Sequence, residues 1–351
     1  MQSAYDGCRA LTLALALGGM VGTPSASAQQ VLYFAGYGGT SEQAFREKVL
    51  PRFEATHNVR IEYIAGASTN NLARLQAQRD KPEVDVAVLD DGPMQQAVSL
   101  GLCAPVAPAP VLNDLYDIAK ANGDGKAVGV GIVATGLAYN TQVYEKEGWP
   151  APTSWLDLAA PQVKGKVLVP SITNTYGLDT LLAINRIKGG TYENIEPGLD
   201  FISEEVAPNV RTFEASSSKI SELFQTGEVV LGVWGSGRVA SLAATGFPVR
   251  MVYPQEGAGA LVTTVCPVAG SDVPELQQAL VQFLLSPEVQ TILAEHNGWG
   301  PTNRQVKLSE EVAKGVIYGA EQVGALKPTD WSMVNKRRSE WTKRWTREVE
   351  Q

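Results

Sequence analysis

Between residues 229 and 267 the chain reads VVLGVWGSGRVASLAATGFPVRMVYPQEGAGALVTTVCP, an order of patterns that few architectures accommodate. The apolar run VVLGVW has the composition of a buried strand and stops at Gly-Ser-Gly-Arg, after which a short helix of small residues follows. A second strand, VRMVY, ends at Pro-Gln-Glu-Gly, and a third apolar segment, ALVTTVCPV, begins soon after. Strand, turn, helix and strand in this succession imply an open α/β sheet. Trp234, Ser236 and Arg238 then fall where a strand hands over to a helix, the edge at which such sheets take ligands.

The rest of the chain alternates in the same way. Residues 31–35 (VLYFA) form a strand, and a helix begins after it with Thr40 or Ser41 as its cap. Residues 59–66 give the next strand, NNLARLQAQR a helix, and 84–91 (VDVAVLDD) a buried strand ending in two acids. The run KAVGVGIVATGLAYNT, from residue 126, is too rich in Gly and Val for a helix and too long for an ordinary strand. It fits a strand that leaves one lobe and enters another, with ALVTTVCPV as the return crossing. PELQQALVQFLLSPEVQTILAEHNGWGPTN adds two helices, the second started by Ser286-Pro287. The pattern therefore predicts two discontinuous lobes: residues 29–130 with 265–351, and residues 131–264 between them. A two-segment hinge is expected near residues 130 and 262, with a ligand cleft between the lobes.

The first 28 residues carry Arg9, an apolar stretch over residues 10–17 and the small-residue site Ala26-Ser27-Ala28, which together predict a signal peptide cleaved after Ala28. Cys8 precedes the apolar stretch, which argues against lipoprotein processing, and no later segment reaches transmembrane length. The mature chain is expected in the periplasm and not embedded in a membrane. Its net charge of −8 and the absence of a dominant basic patch set nucleic-acid binding aside. Lys336-Arg337-Arg338 is expected to be a solvated helix face. Two cysteines remain after export, Cys103 and Cys266; an oxidising compartment permits a disulfide, and two buried thiols are the alternative. With His57 and His296 scattered, no metal site is expected.

On the Trp-Gly-Ser-Gly-Arg turn, the Tyr-Pro-Gln-Glu-Gly turn, FLLSPEVQ and GWGPTN, the chain resembles the periplasmic solute-binding proteins of ABC importers, in particular the spermidine/putrescine type. The resemblance covers most of the mature chain and is strongest from residue 229 to residue 303. It implies a two-lobe periplasmic-binding fold (type II), a small-molecule ligand, an inner-membrane ABC permease as partner, a monomer and no cofactor.

Four loops are then candidates for the ligand. The first runs from Gly36 to Ser41, where Tyr37, Gly39 and Thr40 offer backbone and hydroxyl groups at a helix start; a plain βα turn is the alternative. The second holds Asp90 and Asp91, with Asp90 favoured for an amine and the other acid for capping the next helix. The third, PSITNTYG, presents Thr173, Asn174, Thr175 and Tyr176, where the polyamine binders carry acidic residues. The fourth is the opening turn with Thr263 on the return strand. Trp234 matches a position where the family sets an aromatic wall, and the alternative is a core tryptophan. Arg238 offers a fork for a carboxylate or phosphonate. On the return strand Leu261 and Thr263 stand where the polyamine binders carry tryptophan and aspartate.

A ligand with one amine and one acidic group suits Asp90 and Arg238 better than a polyamine, so an amino-acid-like zwitterion is expected. The alternatives are a polyamine, iron(III) or another anion complex, or a sensory role for the same fold. An enzyme is not expected: Gly235-Ser236-Gly237 is not a nucleophile elbow, and Gly129-Val130-Gly131 lacks the third glycine of a dinucleotide fold.

Overall fold

The computed structural model describes residues 29–350 apart from Asn122 and Ala215. The signal peptide expected over residues 1–28 lies outside the described residues. Among the described residues there are ten strands: β1 (Gln30–Gly36), β2 (Val59–Ala65), β3 (Val86–Asp90), β4 (Val128–Asn140), β5 (Val167–Val169), β6 (Val210–Phe213), β7 (Leu231–Gly235), β8 (Val249–Val252), β9 (Gly259–Pro267) and β10 (Lys327–Pro328). The main path runs β2-β1-β3-β9-β4-β7-β5-β6, with β8 on β4 and β10 on β9.

The apolar run after residue 126 becomes β4, thirteen residues buried throughout. Its first half pairs antiparallel with β9, from Val128 opposite Val265 to Thr135 opposite Gly259, with an irregularity between Gly129 and Gly131. Its second half turns to β7 and β8, from Thr135 opposite Gly235 to Asn140 opposite Val249. β9 in turn pairs with β3, Asp90 facing Thr263. Parallel β1, β2 and β3 thus form one sheet region and parallel β5, β6 and β7 another, joined through β4 and β9. The inner strands β3, β5 and β7 are buried and read as apolar runs, as strands covered on both faces do, whereas the outer strands β2 and β6 keep exposed Arg60 and Arg211.

Two separate cores follow. One gathers Phe34, Phe45, Phe53 and Val86 with Leu280, Leu284 and Trp299; the other gathers Leu137, Trp155, Val167, Leu181 and Leu231. Cys103 and Cys266 form a disulfide, Cα atoms 5.8 Å apart, within a smaller cluster around Ala87, Leu89 and Met94. No described helix is long and apolar enough to cross a membrane.

Three local expectations change. The first helix, Thr40–Ala44, takes Gly39 as its N-cap with φ at 68°, so neither Thr40 nor Ser41 caps it. A positive φ is a conformation glycine adopts without steric cost. The second aspartate, Asp91, is the first residue of helix Asp91–Ser99, while Asp90 occupies the N-cap position without a side-chain cap bond. The C-terminal helix, Trp331–Glu348, was expected with the first lobe, yet Trp331, Val334, Trp341 and Trp345 lie in the second core. It also meets the first lobe: Asn335 Nδ2 donates to the carbonyl of Gly92 at 3.1 Å and Asn335 Oδ1 accepts from Gln96 at 3.0 Å.

Candidate functional site

A cavity of about 320 Å³ lies between the two lobes, walled by residues from both. The first lobe supplies Tyr37, Thr40 and Ser41 from the turn after β1, Ser68 and Thr69 from the start of helix Ser68–Ala77, and Asp90 from the end of β3. The second lobe supplies Thr173, Asn174, Thr175 and Tyr176 at the start of helix Thr175–Ile187, and Arg238 from helix Ser236–Ala243. Leu261 and Thr263 on strand β9 complete the lining. Helices of ten, thirteen and eight residues therefore aim their N-terminal turns at one space, each with a partial positive charge.

Asp90 sits at the centre of the polar contacts. Tyr37 Oη donates to Asp90 Oδ1 at 2.5 Å, and Thr175 Oγ1 donates to Oδ2 at 3.4 Å across the cleft. The backbone N–H of Asp90 donates to Ser68 Oγ at 2.9 Å. Burial pushes the Asp90 carboxyl above its usual range, opposed by hydrogen bonds from Tyr37, Ser68 and Thr175 and by the charge of Arg338. Tyr37 is itself raised well above the ordinary phenol value, by burial first and the charge of Asp90 second, so it stays a donor. Its main chain is fixed by Tyr63, whose hydroxyl donates to the Tyr37 carbonyl at 2.6 Å. Gly36 makes room for that contact: a Cβ there would stand 2.5 Å from the Tyr63 hydroxyl.

Aromatic surface comes from Tyr37, Trp299 and Tyr176. Tyr37 and Trp299 meet edge to face, ring centres 5.9 Å apart. Tyr176 is pushed up to about 12, by burial first, with Arg238 within hydrogen-bonding reach pulling the other way. Asn174 Oδ1 accepts the Tyr176 N–H at 2.9 Å and so caps the helix that carries the ring.

Nine residues expected at the ligand line the cleft: Tyr37, Thr40, Asp90, Thr173, Asn174, Thr175, Tyr176, Arg238 and Thr263. Four do not. Trp234, expected as an aromatic wall, is 2% exposed and stacks on Phe224 with ring centres 5.9 Å apart, inside a core cluster with Val229 and Leu242. Ser236 is buried, and its Oγ accepts the N–H of Ala134 on β4 at 3.1 Å. Asp91 is turned into the protein beside Trp331, where burial raises its carboxyl well above the usual range. Gly39 shapes the turn without lining the cavity.

The structure adds residues that sequence patterns did not bring forward: Ser68, Asn297, Trp299 and above all Arg338. Arg338 was expected on a solvated face with Lys336 and Arg337. It instead lines the cleft half-buried, its guanidinium pulled below its usual value by burial and held up by Asp90 and Asp179. Among the described residues, neither Arg238 nor Arg338 forms an ion pair with a carboxylate. The cleft thus presents two guanidiniums and three helix N-termini against one hydrogen-bonded carboxylate. Such a surface favours a small molecule with an anionic group, and keeps one place for an ammonium.

Residues 48–320 match the profile of a family described as bacterial extracellular solute-binding protein. A Salmonella typhimurium periplasmic protein, provisionally named for binding 2-aminoethylphosphonate, is 25% identical over 306 residues, which cover 85% of this chain and 86% of that protein. The spermidine/putrescine-binding periplasmic protein of Escherichia coli is 32% identical over 169 residues, 46% of each chain. Among solved structures, an ABC transporter protein from Clostridium perfringens aligns with a TM-score of 0.75 over 91% of this chain and 99% of its own, at 24% identity.

Proposed function

The chain belongs to the bacterial extracellular solute-binding protein family, and from that premise we propose that it captures a small amine-bearing organic anion in the cleft between its lobes and delivers it to an ABC permease of the inner membrane. In this reading residues 1–28 direct export, and the mature protein works in the periplasm as a monomer. The observation that carries the ligand assignment is that two guanidiniums, Arg238 and Arg338, neither in an ion pair among the described residues, line one cavity with Asp90. The ammonium of the ligand sits at Asp90 beside the aromatic pair Tyr37 and Trp299, where the carboxylate and an exposed ring face both attract a cation. Its acidic group lies between the two guanidiniums and the hydroxyls of Thr173 and Thr175.

Closure follows from the same contacts. Solute enters between the lobes and receives bonds from both, so it binds the closed form more tightly and shifts the population toward it. The relative named for 2-aminoethylphosphonate spans most of both chains, and that compound has the two charges the cleft asks for. A polyamine fits less well: the return strand offers Leu261 and Thr263, and each ammonium beyond the first would meet a guanidinium.

Titration calorimetry against 2-aminoethylphosphonate, 4-aminobutyrate, putrescine and spermidine tests the assignment. Saturable binding of at least one of the two zwitterions, tighter than either polyamine, is expected. Tight spermidine binding with no heat from either zwitterion would overturn it.

A further inference from the structure

Beside Arg238 the two lobes touch main chain to main chain. Gly237 is the second residue of helix Ser236–Ala243, whose Val239 and Leu242 pack with Trp234 in a second-lobe cluster. Gly298 follows helix Pro287–Asn297, whose Val289 and Leu293 belong with Trp299 to the first core. A Cβ on Gly237 would stand 2.7 Å from the carbonyl oxygen of Gly298 and 2.9 Å from that of Asn297. A Cβ on Gly298, which caps its helix with φ at 63°, would stand 2.5 Å from Gly237 Cα. The obstacles are backbone atoms on both sides, which no change of rotamer moves aside.

This contact is part of the cleft wall, since Gly237, Arg238 and Asn297 all line the cavity. Asn297 Nδ2 donates to Ser41 Oγ at 3.1 Å, which ties the first-lobe side to helix Thr40–Ala44. Both sides are anchored on β4, two residues apart. Gly300 exchanges backbone bonds with Ile132, 2.8 Å each way, and Ser236 Oγ accepts from the N–H of Ala134 at 3.1 Å. A twist of β4 there changes the gap between the glycines and carries Arg238 with it. So near the crossing strand the lever arm is short, and one methyl group in the gap holds the far rim of the cleft open by more than its own width. We propose that the Gly237–Gly298 contact is the closure stop of the cleft: the two bare main chains meet when the lobes close on a solute, and this lets Arg238 advance to its anionic group. Gly237 is then a positioning residue for Arg238, a role that rests on the reading of the cleft as a solute site that closes.

Gly237→Ala tests this. In an open cleft the methyl group has room, and alanine suits a helix better than glycine, so the ligand-free melting temperature is expected to hold or rise. On closure the methyl group meets the main chain of residues 297 and 298. Affinity for 2-aminoethylphosphonate and 4-aminobutyrate is therefore expected to fall about tenfold. Small-angle scattering at saturating ligand is expected to show the wild type contracting and the variant staying near its ligand-free radius. Arg238→Gln is the control: it weakens binding and still contracts at saturation. A Gly237→Ala protein that melts lower yet binds as the wild type does would make the contact permanent packing and overturn the proposal. Full contraction of Gly237→Ala at saturation overturns it as well.

A cross-link that needs no ligand separates this from a wrong ligand. Ala240 lies one turn beyond Gly237, and a Cβ on Gly315, the last residue of helix Glu310–Gly315, would stand 3.4 Å from Ala240 Cβ. That is close to the spacing a disulfide needs. Ala240→Cys with Gly315→Cys is expected to bridge on mild oxidation and to give the contracted radius with no ligand present. Adding Gly237→Ala is expected to slow the bridging about tenfold, because the closed form is less populated. If neither zwitterion binds, the ligand assignment fails and the bridging rates still decide the stop. Equal rates with and without Gly237→Ala overturn it.

Discussion

Arg238 and Arg338 carry the charge of the cleft from different parts of the chain, and each is expected to act on binding more than on folding. Replacing either by a neutral side chain, Arg238→Gln or Arg338→Met, removes a charge-assisted bond worth about 1.5–3 kcal/mol, so affinity for an anionic ligand should drop about tenfold or more. The ligand-free melting temperature should hold or rise in Arg238→Gln, whose guanidinium has no carboxylate ion-pair partner among the described residues, and should fall slightly in Arg338→Met, where Asp90 and Asp179 lose an offsetting positive charge. Calorimetry beside thermal melting checks both halves. Trp234 is expected to behave in the opposite way. Buried against Phe224, Val229 and Leu242, it should cost about 3–5 kcal/mol of stability as Trp234→Ala, while molecules that remain folded keep their affinity. Spacing alone places Trp234 and Arg238 equally well at a strand end. Nothing in it tells which side of β7 a residue faces, and so one of the pair was legible and the other was misread. Arg338 was hidden by its neighbours, because three consecutive basic residues look like a solvated face until the helix is docked.

Elements made the fold easy to read and the lobe boundaries hard. The length and glycine content of β4 announced a strand that crosses between lobes, since no helix tolerates that composition and no ordinary strand needs thirteen residues. The C-terminal helix shows the limit. Its apolar face of Trp331, Val334, Trp341 and Trp345 says that a partner exists, but periodicity names no partner, and the tryptophans went to the second core. At the strand-to-helix turn the sequence requirement is sharper. Gly235 ends β7 under the ring of Tyr176, and a Cβ there would run into the Tyr176 hydroxyl. Gly235→Ala is thus expected to push Tyr176 into the cleft and weaken ligand binding by about tenfold, with a stability loss of about 1–3 kcal/mol. The Cβ would also stand 2.5 Å from Tyr176 Cζ, so the whole ring has to move, and unchanged affinity in the variant would refute the expectation.

Across the whole molecule, buried carboxylates and one disulfide set how stability responds to conditions. Asp90, Asp91 and Asp179 are all raised above the ordinary carboxylate range by burial. The folded state therefore holds protons that the unfolded chain has released, and stability falls as pH rises from about 4 through about 7. Glu196, Glu348 and Asp330 are shifted the other way by exposed hydrogen bonds, where screening leaves little effect. Melting temperature should accordingly be higher near pH 5.5 than near pH 8, both approximate settings, and a curve that rises over this interval would contradict the assignment. The disulfide acts on the unfolded chain instead. It joins Cys103 to Cys266 across a separation of 163 residues, and because the second-lobe strands β5, β6 and β7 fall inside that loop, it closes over nearly half the chain while bridging residues of a single first-lobe cluster. Loop-closure entropy for such a span is about 5 kcal/mol in the chain-entropy model, and native disulfides of this kind contribute about 2–5 kcal/mol when removed. Replacing both cysteines by alanine should lower the melting temperature by several degrees. Affinity is a separate question, because Cys266 lies three residues beyond Thr263 on a strand that lines the cleft. If the bond only restrains the unfolded ensemble, the double variant binds its ligand within about twofold of wild type. A parallel loss of affinity would show that the bond also sets the position of β9, and with it the geometry of the hinge.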